Sequence, residues 1–459
     1  MRLLTALTLA LLVLPAARAQ APVGDWSGAL AIPGAPAPLA FTIRVAASGD
    51  SLTSTIDVPQ QGAVGLPATT TTLRGDSLVI TYAMFGGRLD LAVAADSLRG
   101  TFSQGGNSLP IAFGPGVPLV RPQTPVGPFP YATEDVTVQA AGGVTLAGTF
   151  ARPAGAGPFP TVLLLTGSGA QDRDESLFGH RPFAVLADHL ARNGVASLRL
   201  DDRGEGASGG DYATATLDDL AADARAALAA LRARPGVARV GVVGHSLGGL
   251  LAPRVGADFV VMLAAPAVRG SEIYALQNER IARAADIDSA SSAAFGAAIR
   301  ATMQPLLDAP TAPDSVLQAP MEAALNTGLM PVPTAARGKL GLVGGGYARA
   351  RQRMVEGMLS PELRGILLDD PAPALAALSV PTLAVYGALD MQVAADQNAP
   401  PMRAALAGRT GSEVVVLDGK NHLFQSATTG APTEYGQIEQ TMAPEALDAV
   451  TAWILRTAR

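Results

Sequence analysis

Residues 25–113 alternate hydrophobic and polar positions, which is the pattern of half-buried β-strands. The clearest alternating runs are 39–46, 52–58, 78–82 and 89–93. Such alternation turns one face of each strand toward a core and the other toward solvent. About eight short strands fit into residues 20–114, and so many short strands favour a small barrel or sandwich. We therefore predict an all-β domain over residues 20–114.

From residue 131 the pattern changes to short β-branched or Leu-rich runs separated by helical stretches. These runs lie at 161–165, 195–200, 240–243, 259–263, 382–386 and 413–417. Strands that alternate with helices form a mostly parallel sheet covered by those helices. One helix is well marked, because Thr216 can cap its N-terminus together with Asp219 three residues later. The sequence therefore predicts an α/β domain over residues 131–459.

Two segments interrupt these patterns. Residues 115–130 contain six prolines, which favour a stiff, extended linker without ladder hydrogen bonds. Residues from about 267 to 380 are helical in character and contain five methionines. A segment of this length is too long for a loop in a compact domain. We expect it to be a structured helical insertion between two strands of the sheet.

The first 19 residues have the features of a secretory signal peptide. Arg2 precedes an apolar run over residues 3–14, and Ala17-Arg18-Ala19 provides a small-residue cleavage site. The run ends at Pro15 and is shorter than the ~20 apolar residues that a membrane-spanning helix needs. We predict cleavage after Ala19, export to the periplasm or the medium, and a mature chain without an integral membrane segment.

Composition and charge narrow the range of functions. The chain has 33 basic and 39 acidic residues and no basic tract, which argues against nucleic-acid binding. It has no cysteine, so disulfides, thiolate metal sites and cysteine catalysis are excluded. His180 and His189 have no acidic residue at a ligating interval, so we expect no metal site there. The motifs do not call for an organic cofactor either.

The strongest chemical signal is Gly244-His-Ser-Leu-Gly248, a G-x-S-x-G element between a β-branched run and a helical stretch. A nucleophile on a sharp strand-to-helix turn has strained backbone angles. Glycines two residues before and after it avoid collisions with the neighbouring elements. This context predicts that Ser246 is a catalytic nucleophile.

A serine hydroxyl needs a base, and in this architecture the order along the chain is serine, acid, histidine. Of the four histidines only His422 follows Ser246, so His422 is the predicted base. Asp390 ends a buried strand at the edge of the sheet where ligand sites gather, and we choose it as the orienting acid. Asp418 is the alternative, although four residues before His422 it is better placed to cap the loop.

The tetrahedral intermediate needs two backbone N–H donors for its oxyanion. One is the amide of Leu247, the residue after the nucleophile, and the other comes from a loop after an early strand. Thr166-Gly-Ser-Gly169 follows such a strand, and the Ser168 amide is our choice, with Gly169 as the alternative. We expect residues 171–175 to fix this loop through ion pairs, and residues 202–206 to form a structural turn.

From about Val136 to Trp453 the chain resembles bacterial α/β-hydrolase carboxylesterases of the serine-aminopeptidase-like (S33-type) branch, preceded here by an extra β domain. The resemblance rests on five motifs that begin at Gly167, Asp202, Gly244, Gly387 and Lys420. It implies an α/β-hydrolase fold, Ser246, Asp390 and His422 as the triad, an oxyanion loop around Ser168, and a helical cap over about 267–380. Family members of this pattern are typically esterases on short to medium acyl chains.

The prediction is therefore an exported serine hydrolase, a carboxylesterase that acts on a small-molecule ester through an acyl-enzyme and needs no cofactor or metal. An aminopeptidase, dipeptidyl-peptidase or thioesterase of the same fold is the first alternative. A peptidase would need an acidic cluster for the substrate ammonium, which Glu272 and Glu279 can supply. The second alternative is a non-catalytic binding protein. The partner of the β domain is left open.

Overall fold

The structure is a computed structural model that describes residues 21–32, 39–49, 51–58, 63–116 and 121–458. The predicted signal peptide, residues 1–19, lies outside the described residues. The chain divides into two compact units, and the boundary lies between residues 118 and 119. This boundary falls inside the predicted proline-rich linker.

The first unit is a single antiparallel sheet. Its described strands are β1 (Gly24–Leu30), β2 (Leu39–Ser48), β3 (Ser51–Val58), β4 (Ala63–Pro67), β5 (Thr70–Arg74), β6 (Ser77–Tyr82), β7 (Gly87–Val93), β8 (Leu98–Gln104) and β9 (Asn107–Pro115). The order is β4-β3-β2-β1-β9-β8-β7-β6-β5. The predicted count of about eight strands was therefore one too low for the part of the chain that the structure describes.

The sheet of the first unit curls so that β3 and β5 meet. Ser54 Oγ on β3 lies 2.7 Å from Thr71 Oγ1 on β5, and the Ala68 amide donates to the Ser54 carbonyl at 2.8 Å. The inward positions of the alternating runs are buried, among them Ile43, Ile80 and Leu89. The predicted small all-β domain is thus confirmed, and the barrel is the form that it approaches.

The second unit contains a mixed sheet of eight strands among the described residues. They are β10 (Ala132–Gln139), β11 (Thr145–Arg152), β12 (Phe159–Leu165), β13 (Ala196–Leu200), β14 (Val237–His245), β15 (Val260–Leu263), β16 (Thr382–Gly387) and β17 (Glu413–Leu417). The order is β10-β11-β13-β12-β14-β15-β16-β17; β11 pairs antiparallel with both β10 and β13, and the other pairs are parallel. The predicted, mostly parallel sheet is confirmed.

Helices cover both faces of this sheet. They are α1 (Pro182–Arg192), α2 (Leu217–Arg232), α3 (Leu247–Leu251), α11 (Ala395–Leu406) and α12 (Pro444–Thr457). Leu228 of α2 and Met402 of α11 are buried in one hydrophobic cluster, whereas Leu186 of α1 and Trp453 of α12 are buried in another. Helix α2 begins with the predicted capping box of Thr216 and Asp219. The sheet is therefore packed on both faces, which leaves its strand ends for the site.

Between β15 and β16 the chain forms a helical insertion, which we call the cap. Its helices are α4 (Gly270–Ala284), α5 (Ser289–Asp308), α6 (Asp314–Gly328), α7 (Thr334–Lys339), α8 (Tyr347–Leu359), α9 (Pro361–Leu368) and α10 (Ala372–Ala377). The cap has its own hydrophobic cluster, in which Met303, Met321 and Met358 are fully buried. These methionines therefore fill the cap core.

The predicted linker over residues 115–130 needs a correction. Pro115 is the last residue of β9, and the segment from residue 121 is held on the second unit by side chains. Arg121 donates to the carbonyls of Phe178 and Gly436 at 2.9 and 2.7 Å. Gln123 accepts from the Thr441 amide at 2.6 Å. Prolines remove backbone donors, but these two side chains provide the hydrogen bonds that fix the segment.

Candidate active site

Ser246 lies on the sharp turn between β14 and α3, at the carboxyl end of the sheet. Its φ of 52° and ψ of −111° are a strained conformation for a residue with a side chain. A Cβ on Gly244 would lie 2.1 Å from the Gly248 carbonyl oxygen, and one on Gly248 would lie 2.1 Å from the Leu165 oxygen. Both glycines are thus required by close backbone approach.

Asp390 and His422 are brought together by the loops that follow β16 and β17. The Asp390 Oδ2 atom lies 2.8 Å from His422 Nδ1, and both side chains are buried. The other oxygen, Oδ1, accepts from the amides of Gln392 and Val393 at 2.7 and 2.9 Å. These bonds fix the carboxylate so that it can select one tautomer of His422. Asp418, the alternative acid, is exposed and has no bond to His422 in the described residues.

The third predicted member, Ser246, makes no hydrogen bond to this pair in the described residues. Ser246 Oγ makes no hydrogen bond within the described part of the chain. The link between the serine turn and the histidine loop is instead made by His245, whose Nε2 lies 3.0 Å from the His422 carbonyl oxygen. Catalytic hydrogen bonds of free enzymes are often long and tighten only with substrate. The catalytic roles of the three residues stay predictions.

His245 forms a buried ion pair that the sequence analysis missed. Its Nδ1 lies 2.8 Å from Glu175 Oε1, and its Nε2 faces the His422 carbonyl, so both ring nitrogens have acceptors. A ring that donates from both nitrogens is an imidazolium. Burial lowers the pKa of His245, but the Glu175 carboxylate and the His422 carbonyl outweigh burial and leave that pKa raised. The pair therefore joins three loops of the site.

The loop after β12 presents a free amide next to the serine turn. The Gly167 amide donates to Glu175 Oε1 at 2.6 Å, and the Gly169 amide donates to Glu362 Oε1 at 2.8 Å. Within the described ranges, the amides of Ser168 and Leu247 have no hydrogen-bond partner. Of the two alternatives for the second oxyanion donor, the bonding pattern favours Ser168, because Gly169 is already engaged.

Residues 171–175 form the support network that the sequence suggested. Arg173 pairs with Asp201 at 2.7 Å, and the Gln171 amide donates to Asp202 Oδ2 at 2.9 Å. Burial raises the pKa of Asp202 to about 7; the Gln171 and Thr166 hydrogen bonds oppose this rise, and the charges of Glu175 and Glu362 add to it. The turn that begins at Asp202 thus holds the oxyanion loop.

A cavity of about 370 Å³ lies between the serine turn and the cap. Its apolar lining includes Leu250, Pro266, Val268, Ile273, Leu363 and Ile366. Glu272 and Glu279, proposed above for an ammonium site, do not line it, and Glu279 pairs with Arg283 at 2.9 Å. The two carboxylates that do border it are Glu362 and Asp369, and Asp369 pairs with Arg254 at 2.7 Å.

The remaining histidines have structural surroundings. His180 is fully buried, with Nδ1 2.9 Å from Thr441 Oγ1 and Nε2 2.9 Å from the Tyr435 carbonyl, and burial lowers its pKa to about 4. His189 lies on α1 at 3.4 Å from Asp448. Over the residues described, no group of three or more His, Asp or Glu side chains could hold a metal ion. In the same residues no helix is long and apolar enough to cross a membrane.

Comparison with known proteins agrees with this geometry. Residues 181–290, which include the serine turn, match the family described as serine aminopeptidase, S33. The esterase EstD of Thermotoga maritima is 27% identical over 344 residues, which cover 72% of this chain and 69% of EstD. The chain is an α/β-hydrolase that is similar to this branch over the matched residues. The predicted family, fold class and hydrolytic activity are thereby confirmed.

Solved structures similar to this α/β-hydrolase include two enzymes. An esterase of Pyrococcus furiosus aligns with a TM-score of 0.43 at 16% identity, over 75% of this chain and 100% of its own. The proline iminopeptidase of Mycobacterium smegmatis aligns with a TM-score of 0.42 at 15% identity, over 71% of this chain and 99% of its own.

Proposed function

We propose that this α/β-hydrolase is an exported carboxylesterase that cleaves short- to medium-chain esters with Ser246, His422 and Asp390. The observation that carries the proposal is the buried hydrogen bond between Asp390 and His422 beside the strained Ser246 turn. The amides of Ser168 and Leu247, which have no partner among the described residues, add the two donors that an oxyanion needs. The relation to an esterase supports an ester as substrate.

In the proposed mechanism Ser246 Oγ attacks the ester carbonyl carbon while its proton passes to His422 Nε2. The carbonyl oxygen becomes an oxyanion held by the Leu247 and Ser168 amides, and Asp390 stabilises the imidazolium. The intermediate collapses as His422 returns the proton to the leaving alcohol, and the acyl group stays on Ser246. Water then attacks the acyl-enzyme and gives a proton to His422; His422 passes this proton to Ser246 Oγ as the acyl–serine bond breaks, and the carboxylic acid is released.

The cavity between the serine turn and the cap supports the choice of acyl group. A volume of about 370 Å³ is at the small end of ligand pockets, and an apolar wall favours a hydrocarbon chain. The aminopeptidase alternative loses its proposed ammonium site, because Glu272 and Glu279 lie outside the lining. A thioester remains chemically equivalent to an ester for this site.

The test is hydrolysis of p-nitrophenyl esters from acetate to laurate, together with amino-acyl anilides. We expect turnover of the shorter esters, a loss of at least about a thousandfold in Ser246→Ala, and unchanged rates in Ser315→Ala, whose serine is exposed on the cap. A fluorophosphonate should label the wild type and not Ser246→Ala. Cleavage of anilides alone would favour a peptidase, and a complete lack of labelling would favour a binding protein.

Export is tested separately by the N-terminus of the secreted protein. If the full chain is expressed in a bacterium, we expect a periplasmic or extracellular product that begins at Gln20. A matched chain with Ala17 and Ala19 both changed to Leu should stay unprocessed. A cytoplasmic product that still begins at residue 1 would contradict the proposal.

A further inference from the structure

We propose that Glu362 is a positioning residue through which the cap holds the oxyanion loop in its catalytic conformation. The inference rests on the proposed function, since an oxyanion loop matters only if Ser246 attacks a carbonyl group. Glu362 is the second residue of α9, and it is separated from the loop by almost two hundred residues of sequence. In the described residues its hydrogen bond to the loop comes from the Gly169 amide, which is next to the predicted donor Ser168.

Three carboxylates bind alternate amides of the oxyanion loop. The amides of Gly167, Gly169 and Gln171 donate to Glu175, Glu362 and Asp202 at 2.6, 2.8 and 2.9 Å. The Ser168 amide, between the first two anchored amides, has no partner in the described part of the chain. A loop anchored on both sides of a free donor can hold that donor in place before substrate arrives, which is what oxyanion stabilisation requires.

The three carboxylates differ in origin. Glu175 and Asp202 belong to loops of the sheet domain, whereas Glu362 belongs to the cap. Glu362 is itself held by the Tyr212 hydroxyl, which donates to the same Oε1 atom at 2.8 Å. Across the described residues no Arg or Lys forms an ion pair with Glu362. Hydrogen-bond acceptance, and not charge neutralisation, is therefore its role in the loop.

This arrangement predicts how the kcat values of three Glu362 variants rank. Glu362→Gln keeps an oxygen at the same reach and should retain kcat to within about threefold. Glu362→Asp keeps the charge but withdraws the acceptor, and Glu362→Leu removes it. A displacement of about 1 Å at a site can cost as much as a hundredfold, so both variants should lower kcat by about 10- to 100-fold with KM changed less than threefold.

The assay is p-nitrophenyl ester turnover, combined with inhibition by a matched pair of ketones. A trifluoromethyl ketone binds as a tetrahedral oxyanion on the serine, whereas the parent methyl ketone binds without that charge. In Glu362→Asp the inhibition constant of the trifluoromethyl ketone should rise about tenfold and that of the methyl ketone should not change. Glu356→Asp is the control, since Glu356 lies on α8 of the same cap and, in the part of the chain that the structure describes, bonds only to Gln352.

Several results would overturn the inference. One is a Glu362→Asp enzyme within twofold of wild-type kcat, and another is a loss expressed only as a higher KM, which would indicate direct substrate contact. A Glu362→Gln enzyme as impaired as Glu362→Asp would show that an acceptor oxygen at this reach is not enough to hold the loop. If Glu362→Leu does not fold, the Gln and Asp variants decide alone. Failure of the proposed function is distinguishable, because the wild type would then neither turn over esters nor react at Ser246.

Discussion

Replacing Asp202 with Asn should stabilise the catalytic unit, and the gain should grow as the pH rises. Asp202 is partly buried, accepts from the Gln171 amide at 2.9 Å, and has no ion pair with Arg or Lys in the described residues. Burial, with the charges of Glu175 and Glu362, raises its pKa to about 7, well above that of a free aspartate. Asn has the same shape, keeps an acceptor for Gln171, and carries no charge.

The sign and size of the effect follow from proton linkage. Below about pH 4 Asp202 is protonated in the folded and unfolded states alike, so it adds no pH dependence. Between about pH 4 and 7 the unfolded chain loses this proton and the folded chain keeps it, so the free energy of unfolding falls by up to about 1.4 kcal/mol per pH unit. The full loss in the free energy of unfolding is about 4 kcal/mol. Because the Asp202 side chain is partly exposed and solvent screens its charge, we expect about 2–4 kcal/mol near pH 8.

The measurement can be confined to the catalytic unit. The chain has two tryptophans, Trp26 in the β unit and Trp453 in α12, so a Trp26→Phe background makes Trp453 the reporter. Urea unfolding is then followed by fluorescence between about pH 4.5 and 8.5. Asp258→Asn is the control: although burial opposes it, the Val240 amide and Arg232 lower the Asp258 pKa, so this variant should be less stable than the wild type by a nearly constant amount across this pH range. Parallel curves for Asp202→Asn and the wild type would refute the reasoning.

Two further predictions follow from the same structure. Gly244→Ala should lower kcat/KM at least about a hundredfold, since the added Cβ would lie 2.1 Å from the Gly248 carbonyl oxygen. Gly357→Ala in α8 is the control, because a Cβ added there has no described neighbour within 4 Å. This variant should leave turnover unchanged and raise the midpoint of thermal unfolding. His180→Gln should reduce the dependence of stability on pH in acid. Because burial lowers the His180 pKa to about 4, the imidazole binds a proton in the unfolded chain at a higher pH than in the folded one. The free energy of unfolding of the wild type should therefore fall by about 3 kcal/mol between pH 6.5 and 4. If the free energy of unfolding, followed by Trp453 fluorescence, falls equally steeply with decreasing pH in His180→Gln and the wild type, the His180 prediction is wrong.

The parts of the site that could be predicted from the sequence depend on short local motifs or on the number and order of residues of one type. The turn at Ser246 needs glycines at fixed spacing between a strand and a helix, so the local pattern carries it. The choice of His422 required only the order of the chain and the number of histidines. Asp390 could be chosen because the apolar run of β16 shows in the sequence where that strand ends, and Asp390 follows it closely.

The parts that could not be predicted depend on contacts between distant segments. Glu362 has the sequence setting of an ordinary acidic residue in the first turn of a helix, and nothing local shows that it meets Gly169. Glu175 was visible in its motif, but its partner His245 occupied a position that the motif leaves free. In the β unit, β5 is a threonine-rich strand whose side chains are at most half-buried, so its hydrophobic alternation is too weak to predict it.

The carboxylates around the oxyanion loop pose an electrostatic problem, because negative charge nearby disfavours a developing oxyanion. The structure reduces this charge in two ways. Although burial opposes it, the Glu175 carboxylate 2.8 Å away raises the pKa of His245 and so favours its cationic form, and burial raises the pKa of Asp202 to about 7, which favours its neutral form. His245 of the G-x-S-x-G motif thus bears on the electrostatics of the proposed oxyanion site as well as linking the loops around it.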